Sequence, residues 1–171
     1  MSPDETVLLK CSRFSIHQIE LTDRAGNRRT REVIRHPGAV VLLPVLPDNR
    51  VVMIQNVRHT VGETLLELPA GTIDPGESPE QTALRELVEE TGYRAAKIEK
   101  LHEFYSCPGI CDERMYLFLA SGLTAGEPDR ESTEEIENQI LTRDEIVGRI
   151  DRGEIHDAKT LVGLYAFLRR F

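Results

Sequence analysis

The sequence is poor in cysteine and short of basic residues, and it has no long apolar run. Cys11, Cys107 and Cys111 are too few and too unevenly spaced for a disulfide framework or a four-ligand zinc site, so they read as reduced thiols. No apolar stretch approaches the roughly 20 residues that a helix needs to span a bilayer. The residues after Met1 also lack the basic and then apolar layout of a secretory signal. A soluble, cytoplasmic protein without a membrane partner is expected. The shortage of bases, 21 Lys and Arg against 29 Asp and Glu, leaves a formal charge of −8. That sign disfavours nucleic acid and anionic lipid as partners. A polyanionic small molecule would then need a metal ion or a local basic group.

What is present suffices for one ordinary domain, since 171 residues with 40% apolar content can bury a core of Val, Leu and Ile. Residues 7–21 and 29–34 alternate polar and apolar around the turn signal Asp23-Arg24-Ala25-Gly26-Asn27, which predicts an antiparallel N-terminal hairpin. Residues 39–45 and 51–55 are rich in β-branched side chains and apolar enough to be internal strands. Ser78-Pro79-Glu80-Gln81 combines a cap, a proline suited to the first helical position and a capping box, so a helix is expected over about 79–91, stopped by Gly92. Strands follow at 96–105 and 114–121, an acidic loop at 124–135 and a closing strand at 137–141. Thr142 to Glu145 resembles a second capping box, and Asp157 can cap a last helix over 158–170. Strands, a helix, strands and two helices suggest an α/β fold with a mixed sheet between helices.

On the predicted helix, Glu86, Glu89 and Glu90 stand at i, i+3 and i+4, so their carboxylates share one face. The ordinary meaning of such a trio is a solvated acidic face. Here the helix has no lysine, and only Arg85 offsets the acids. Each uncompensated pair costs a few tenths of a kcal/mol. A hard cation reverses that sign, and Mg²⁺ favours a few carboxylate oxygens together with waters and phosphate oxygens.

The pattern Gly71, five residues, Glu77, seven residues, then Arg85-Glu86-Leu87-Val88-Glu89-Glu90-Thr91-Gly92-Tyr93 resembles the Nudix box at every position. A chance match is on the order of one in a billion windows. The resemblance implies an α/β/α sandwich with a mixed sheet over 37–171. An N-terminal antiparallel β segment over 1–36 would precede it and support a homodimer. It further implies Mg²⁺, with Mn²⁺ as the alternative, held mainly by Glu86 and Glu90, with Glu89 as a further ligand and the Ala70 carbonyl beside them. Glu77 and Arg85 would brace the loop against the helix, Gly92 would take positive φ, and Gly71 would let the chain turn close to the metal.

Outside the box, Leu68-Pro69-Ala70-Gly71 and Ser106-Cys107-Pro108-Gly109 resemble the ADP-ribose pyrophosphatase branch of this family. Pro108 lies 15 positions beyond Tyr93, where that branch carries a marker proline. Gln55, Arg58, Asp112-Glu113 and the segment 153–160 agree with the branch, the last read as a helix start rather than a site. The resemblance implies that Arg58 reaches a substrate phosphate, which suits a guanidinium fork. It places the general base on the late loop, with Glu134 first and Glu135 second, beside a catalytic share for Glu89. Related enzymes stack adenine on an aromatic residue just before the segment matching Arg35-His36-Pro37-Gly38, whereas this chain has Arg31-Glu32 there and no tryptophan. Arg31 by its guanidinium plane or an aromatic such as Phe14 are the substitutes, and His36 is either a ligand contact or a surface histidine.

The expected activity is hydrolysis of ADP-ribose to AMP and ribose 5-phosphate. The alternatives are another nucleoside diphosphate derivative (a nucleotide sugar, a dinucleotide coenzyme or an oxidised nucleotide) or a non-catalytic nucleotide-sensing module. The mark of the last would be lost box acids, and every box acid is present.

Overall fold

The computed structural model describes residues 4–130 and 135–171. Its N-terminal part is an antiparallel sheet in the order β1 (Glu5–Lys10), β2 (Ser15–Thr22), β3 (Arg28–Arg35). The Asp23 carboxylate accepts the amides of Ala25 and Asn27, both at 2.9 Å, which closes the expected turn. The arm expected over 7–21 is broken by a further turn, where the Cys11 amide donates to the Phe14 carbonyl at 2.9 Å. A Cys-Ser-Arg-Phe turn carries neither Gly nor Pro, so its sequence gives no local signal.

The body is organised around β4 (Ala39–Pro44), whose six residues are all buried. A strand buried on both faces reads as a continuous apolar run, and its alternation shows only in what each side touches. Val40 and Leu42 join a cluster with Ala83 and Leu87 of α1 (Pro79–Thr91). Val41 and Leu43 join another with Leu164 and Phe167 of α3 (Ala158–Arg170). One sheet runs β7 (Ala70–Thr72), β4, β9 (Arg114–Thr124), β8 (Arg94–Tyr105), with β4 and β9 parallel and the other pairs antiparallel. A second, antiparallel sheet runs β10 (Ile136–Leu141), β5 (Val51–Arg58), β6 (Glu63–Glu67). A short helix, α2 (Arg143–Asp151), packs beside α3. The result is the α/β/α sandwich with a mixed sheet that the sequence led us to expect.

The helix ends are built as their capping residues dictate. Ser78 with Gln81 and Thr142 with Glu145 form complete capping boxes, and the Asp157 side chain accepts the Thr160 amide. Gly92 ends α1 at φ 79°. A Cβ there would also lie 2.4 Å from the Gly126 carbonyl oxygen, so both conformation and space require glycine. The N-terminal sheet is tied to the body along residues 110–112. The Ile34 amide donates to Ile110 at 2.8 Å, the Asp112 amide to Ile34 at 3.1 Å, and Arg35 to the Asp112 carboxylate at 3.1 Å. No helix among the described residues is long and apolar enough to cross a membrane.

Leu87 is fully buried between α1 and β4. Leu87→Ala should therefore lower unfolding free energy by roughly 2–5 kcal/mol, read as a reduced urea midpoint. An unchanged midpoint would contradict the packing described here.

Candidate active site

The site begins with a close approach of backbone to side chain. A Cβ placed on Gly71 would lie 1.9 Å from the Glu86 carboxyl carbon, so any larger residue there would displace the Glu86 carboxylate from its place over β7. The helix then presents Glu86 and Glu90, both buried, with Glu89 partly exposed. Glu90 accepts the Ala70 amide at 2.8 Å, which fastens the last helix turn to the start of β7.

Arg85 lies among these acids. Its Nη1 donates to Glu86 at 2.8 Å and to Glu89 at 2.7 Å. Its Nε and Nη2 reach Glu77, each at 3.1 Å, and Nη2 also reaches the Thr72 carbonyl at 3.3 Å. Arg85 thus joins the loop before the helix to the helix's acidic face, the bracing expected for it and Glu77. Hydrogen bonds from Arg85, then from the Thr82 hydroxyl, hold the Glu77 carboxyl down at about 2. The Glu77 hydrogen bond in turn holds the Arg85 proton more firmly than usual.

The donor set fits a hard divalent cation, because it consists of carboxylate oxygens packed against a glycine backbone. Among the described residues, however, no three acidic, histidine or cysteine side chains converge on one ion-sized point. Glu86 and Glu89 turn toward Arg85, and Glu90 toward the Ala70 amide.

Two hollows of about 470 and 640 Å³ meet over residues 70–72 and form one cleft. The larger is walled by Glu86, Glu89, Glu90 and Arg85, the smaller by Phe104, Tyr105, Glu113 and Lys159, and Arg13 and Arg58 line both. Arg58, at the end of β5, donates Nε and Nη2 to the two oxygens of Glu67, both at 2.7 Å. Glu67 is 1% exposed. Burial raises its carboxyl pKa, but hydrogen bonds and charge from Arg58 and Lys159 outweigh that and hold it below the ordinary range. The Glu67 hydrogen bond raises the Arg58 pKa.

The cleft collects Ala70, Glu86, Glu89, Glu90 and Arg58. Arg31 and Glu32 lie on the exposed part of β3 and line neither hollow, Glu32 accepting Gln18 at 3.3 Å. His36 accepts the Gly38 amide at Nδ1 and lies 3.6 Å from Glu113, a residue of the cleft wall. Pro108 lines a separate hollow beside Tyr105 and Cys111. Glu135 is exposed and borders another with Gln55 and Arg130, and Glu134 lies outside the described residues. The sequence did not single out Arg13 and Lys159, which line the cleft, or Glu67, the buried acid that holds Arg58. Glu67 is signalled only as a lone acid within Leu65-Leu66-Glu67-Leu68, Arg13 sits in the unsignalled turn, and Lys159 was read as part of a helix start.

A family profile for the NUDIX domain matches residues 35–162. The chain is 40% identical to the ADP-ribose pyrophosphatase of Bacillus subtilis over 85% of this chain and 78% of that protein. It is 37% identical to the methanol dehydrogenase activator of Bacillus methanolicus over 89% of this chain and 82% of that protein. A crystal structure titled as an ADP compounds hydrolase superposes with TM-score 0.83 at 21% identity, covering 99% of this chain and 93% of that one.

Gly71→Ala should leave the circular dichroism spectrum unchanged and lower turnover about 10²-fold, because Glu86 must move. Wild-type turnover would contradict the close approach. The Glu77 carboxyl titrates near 2 in the folded protein against an ordinary 4.5. Its contribution to stability is therefore complete above pH 4.5 and disappears as pH falls through 2. Urea titrations should show wild type losing its advantage over Glu77→Gln across that interval, and a constant difference would contradict the pairing.

Proposed function

We propose that this chain, which belongs to the Nudix family, hydrolyses the pyrophosphate bond of ADP-ribose to AMP and ribose 5-phosphate with Mg²⁺ as its metal. The observation that carries this reading is the cleft that the acidic face of α1 and the Arg58 guanidinium line together with residues 70–72. A diphosphate lying over that backbone has oxygen ligands for a cation on one side and a cationic fork on the other. The likeness to an ADP-ribose pyrophosphatase over most of both chains supports the choice of substrate.

In this reading Glu86, Glu90 and Glu89, with the Ala70 carbonyl, hold the metal. A divalent cation held there would polarise the phosphoryl group and lower the pKa of water. Arg58 grips the phosphate oxygens, which orients the phosphorus for attack, and Glu134, or failing it Glu135, accepts the proton of the attacking water. His36 steadies Glu113 at the cleft wall. Pro108 shapes the loop beside Tyr105. Residues 1–36 support a homodimer, and Arg31 and Glu32, outside the cleft of their own chain, contact adenine across its interface. The enzyme acts in the cytoplasm.

A second reading keeps the cleft and changes the base or the leaving group, and the absence of tryptophan for adenine stacking favours it. A panel of ADP-ribose, nucleotide sugars, dinucleotide coenzymes and oxidised nucleotides at equal concentration separates the two. ADP-ribose should give the highest kcat/KM, and a far better rival would overturn the assignment. The double variant Glu89→Gln/Glu90→Gln should lose at least about 10²-fold in turnover while its thermal unfolding stays cooperative. Unimpaired turnover would exclude the metal assignment, and a wild type that turns over no compound of the panel would favour the sensing module.

A further inference from the structure

Lys159, which lines the cleft with Arg58, is a second cation on the same buried acid. The Glu67 carboxylate, 1% exposed, accepts two hydrogen bonds from Arg58 and a third, at 2.5 Å, from the Lys159 ammonium. Lys159 also pairs with Asp157 at 3.0 Å. Asp157 is fixed in turn, because it accepts the amide and the hydroxyl of Thr160. The Thr160 hydroxyl takes the Leu68 amide at 2.8 Å, one residue beyond Glu67. The first turn of α3 thus holds its lysine against the acid that holds Arg58.

The arithmetic of charge gives this arrangement a purpose. A buried carboxylate gripping a guanidinium in two places cancels most of the charge that an incoming phosphate would feel. With Lys159 on the same oxygen, Arg58 and Lys159 together balance Glu67 and Asp157, whereas without Lys159 the two acids would leave beside Arg58 a net negative charge that repels an anion in the cleft. We infer that Lys159 is a positioning residue for the diphosphate: through Glu67 it holds Arg58 in place and leaves its charge available to the substrate.

This inference rests on the proposed use of Arg58 against a substrate diphosphate, so the test uses a probe independent of turnover. The probe is α,β-methylene ADP, whose P–C–P link resists hydrolysis, titrated calorimetrically at fixed Mg²⁺. Lys159→Gln should weaken binding about tenfold, and Lys159→Arg should restore it to within about twofold. The decisive variant is Glu67→Gln/Lys159→Gln, which removes the acid together with the base that balances it. It should bind more tightly than Lys159→Gln alone, because Arg58 no longer faces an uncompensated carboxylate. If Lys159→Gln fails to fold, Lys159→Arg still decides, since the inference requires it to bind nearly as well as wild type. Unchanged binding in Lys159→Gln, or a double variant weaker than the single, would overturn the inference while leaving the cleft reading intact. Absence of binding by the wild-type protein would overturn the cleft reading and this inference with it.

Discussion

Carboxylates at i, i+3 and i+4 of one helix repel, and the fold keeps them together by placing the Arg85 guanidinium among them. The same group ties Glu77 and the Thr72 carbonyl to the helix, so loop and acidic face form one hydrogen-bonded unit. From that unit follows the need for Gly71, because β7 must lie where a side chain would collide with Glu86. The Glu90 bond to the Ala70 amide completes the contact. The cluster remains chemically suited to a divalent cation, since a cation can take over part of the compensation that Arg85 provides.

Packing supplies the rigidity that this electrostatic cluster lacks. β4 is buried on both faces, and its alternate side chains bind α1 on one side and α3 on the other. The glutamate helix and the lysine of α3 are thereby fixed relative to a common strand. β7 pairs with β4 through Ala70 and Gly71, so the cleft floor belongs to the same rigid layer. The cleft wall is therefore tied across the chain, as where Lys159 donates to Glu67, 92 positions away.

How much of this was legible in the sequence depended on the range of the interactions involved. α1 could be read nearly residue by residue, since Ser78, Pro79, Gln81 and Gly92 act within a turn of their own positions. The face shared by Glu86, Glu89 and Glu90 followed from helical period alone. The Cys11–Phe14 turn was not legible, because it is held by one backbone bond and no turn-specific residue. The parallel pairing of β4 with β9 depends on a long crossover that no local pattern encodes. Arg58, expected against a substrate phosphate, lies in the cleft wall, yet its partner Glu67 was passed over, since a buried acid is recognisable only once its cations are in view. Arg31 and Glu32 show the converse: they are adjacent to the expected segment in sequence, but β3 carries them outside the cleft of their own chain.

The central claim is that this cleft breaks a phosphorus–oxygen bond of a diphosphate in a reaction dependent on a divalent cation. Its most direct test is turnover of ADP-ribose in ¹⁸O-labelled water, with and without Mg²⁺, followed by mass spectrometry of the products. The account predicts AMP and ribose 5-phosphate only when the cation is supplied, with one labelled oxygen incorporated into a phosphate group. Phosphate groups free of label, or equal turnover in the presence of a chelator, would contradict it.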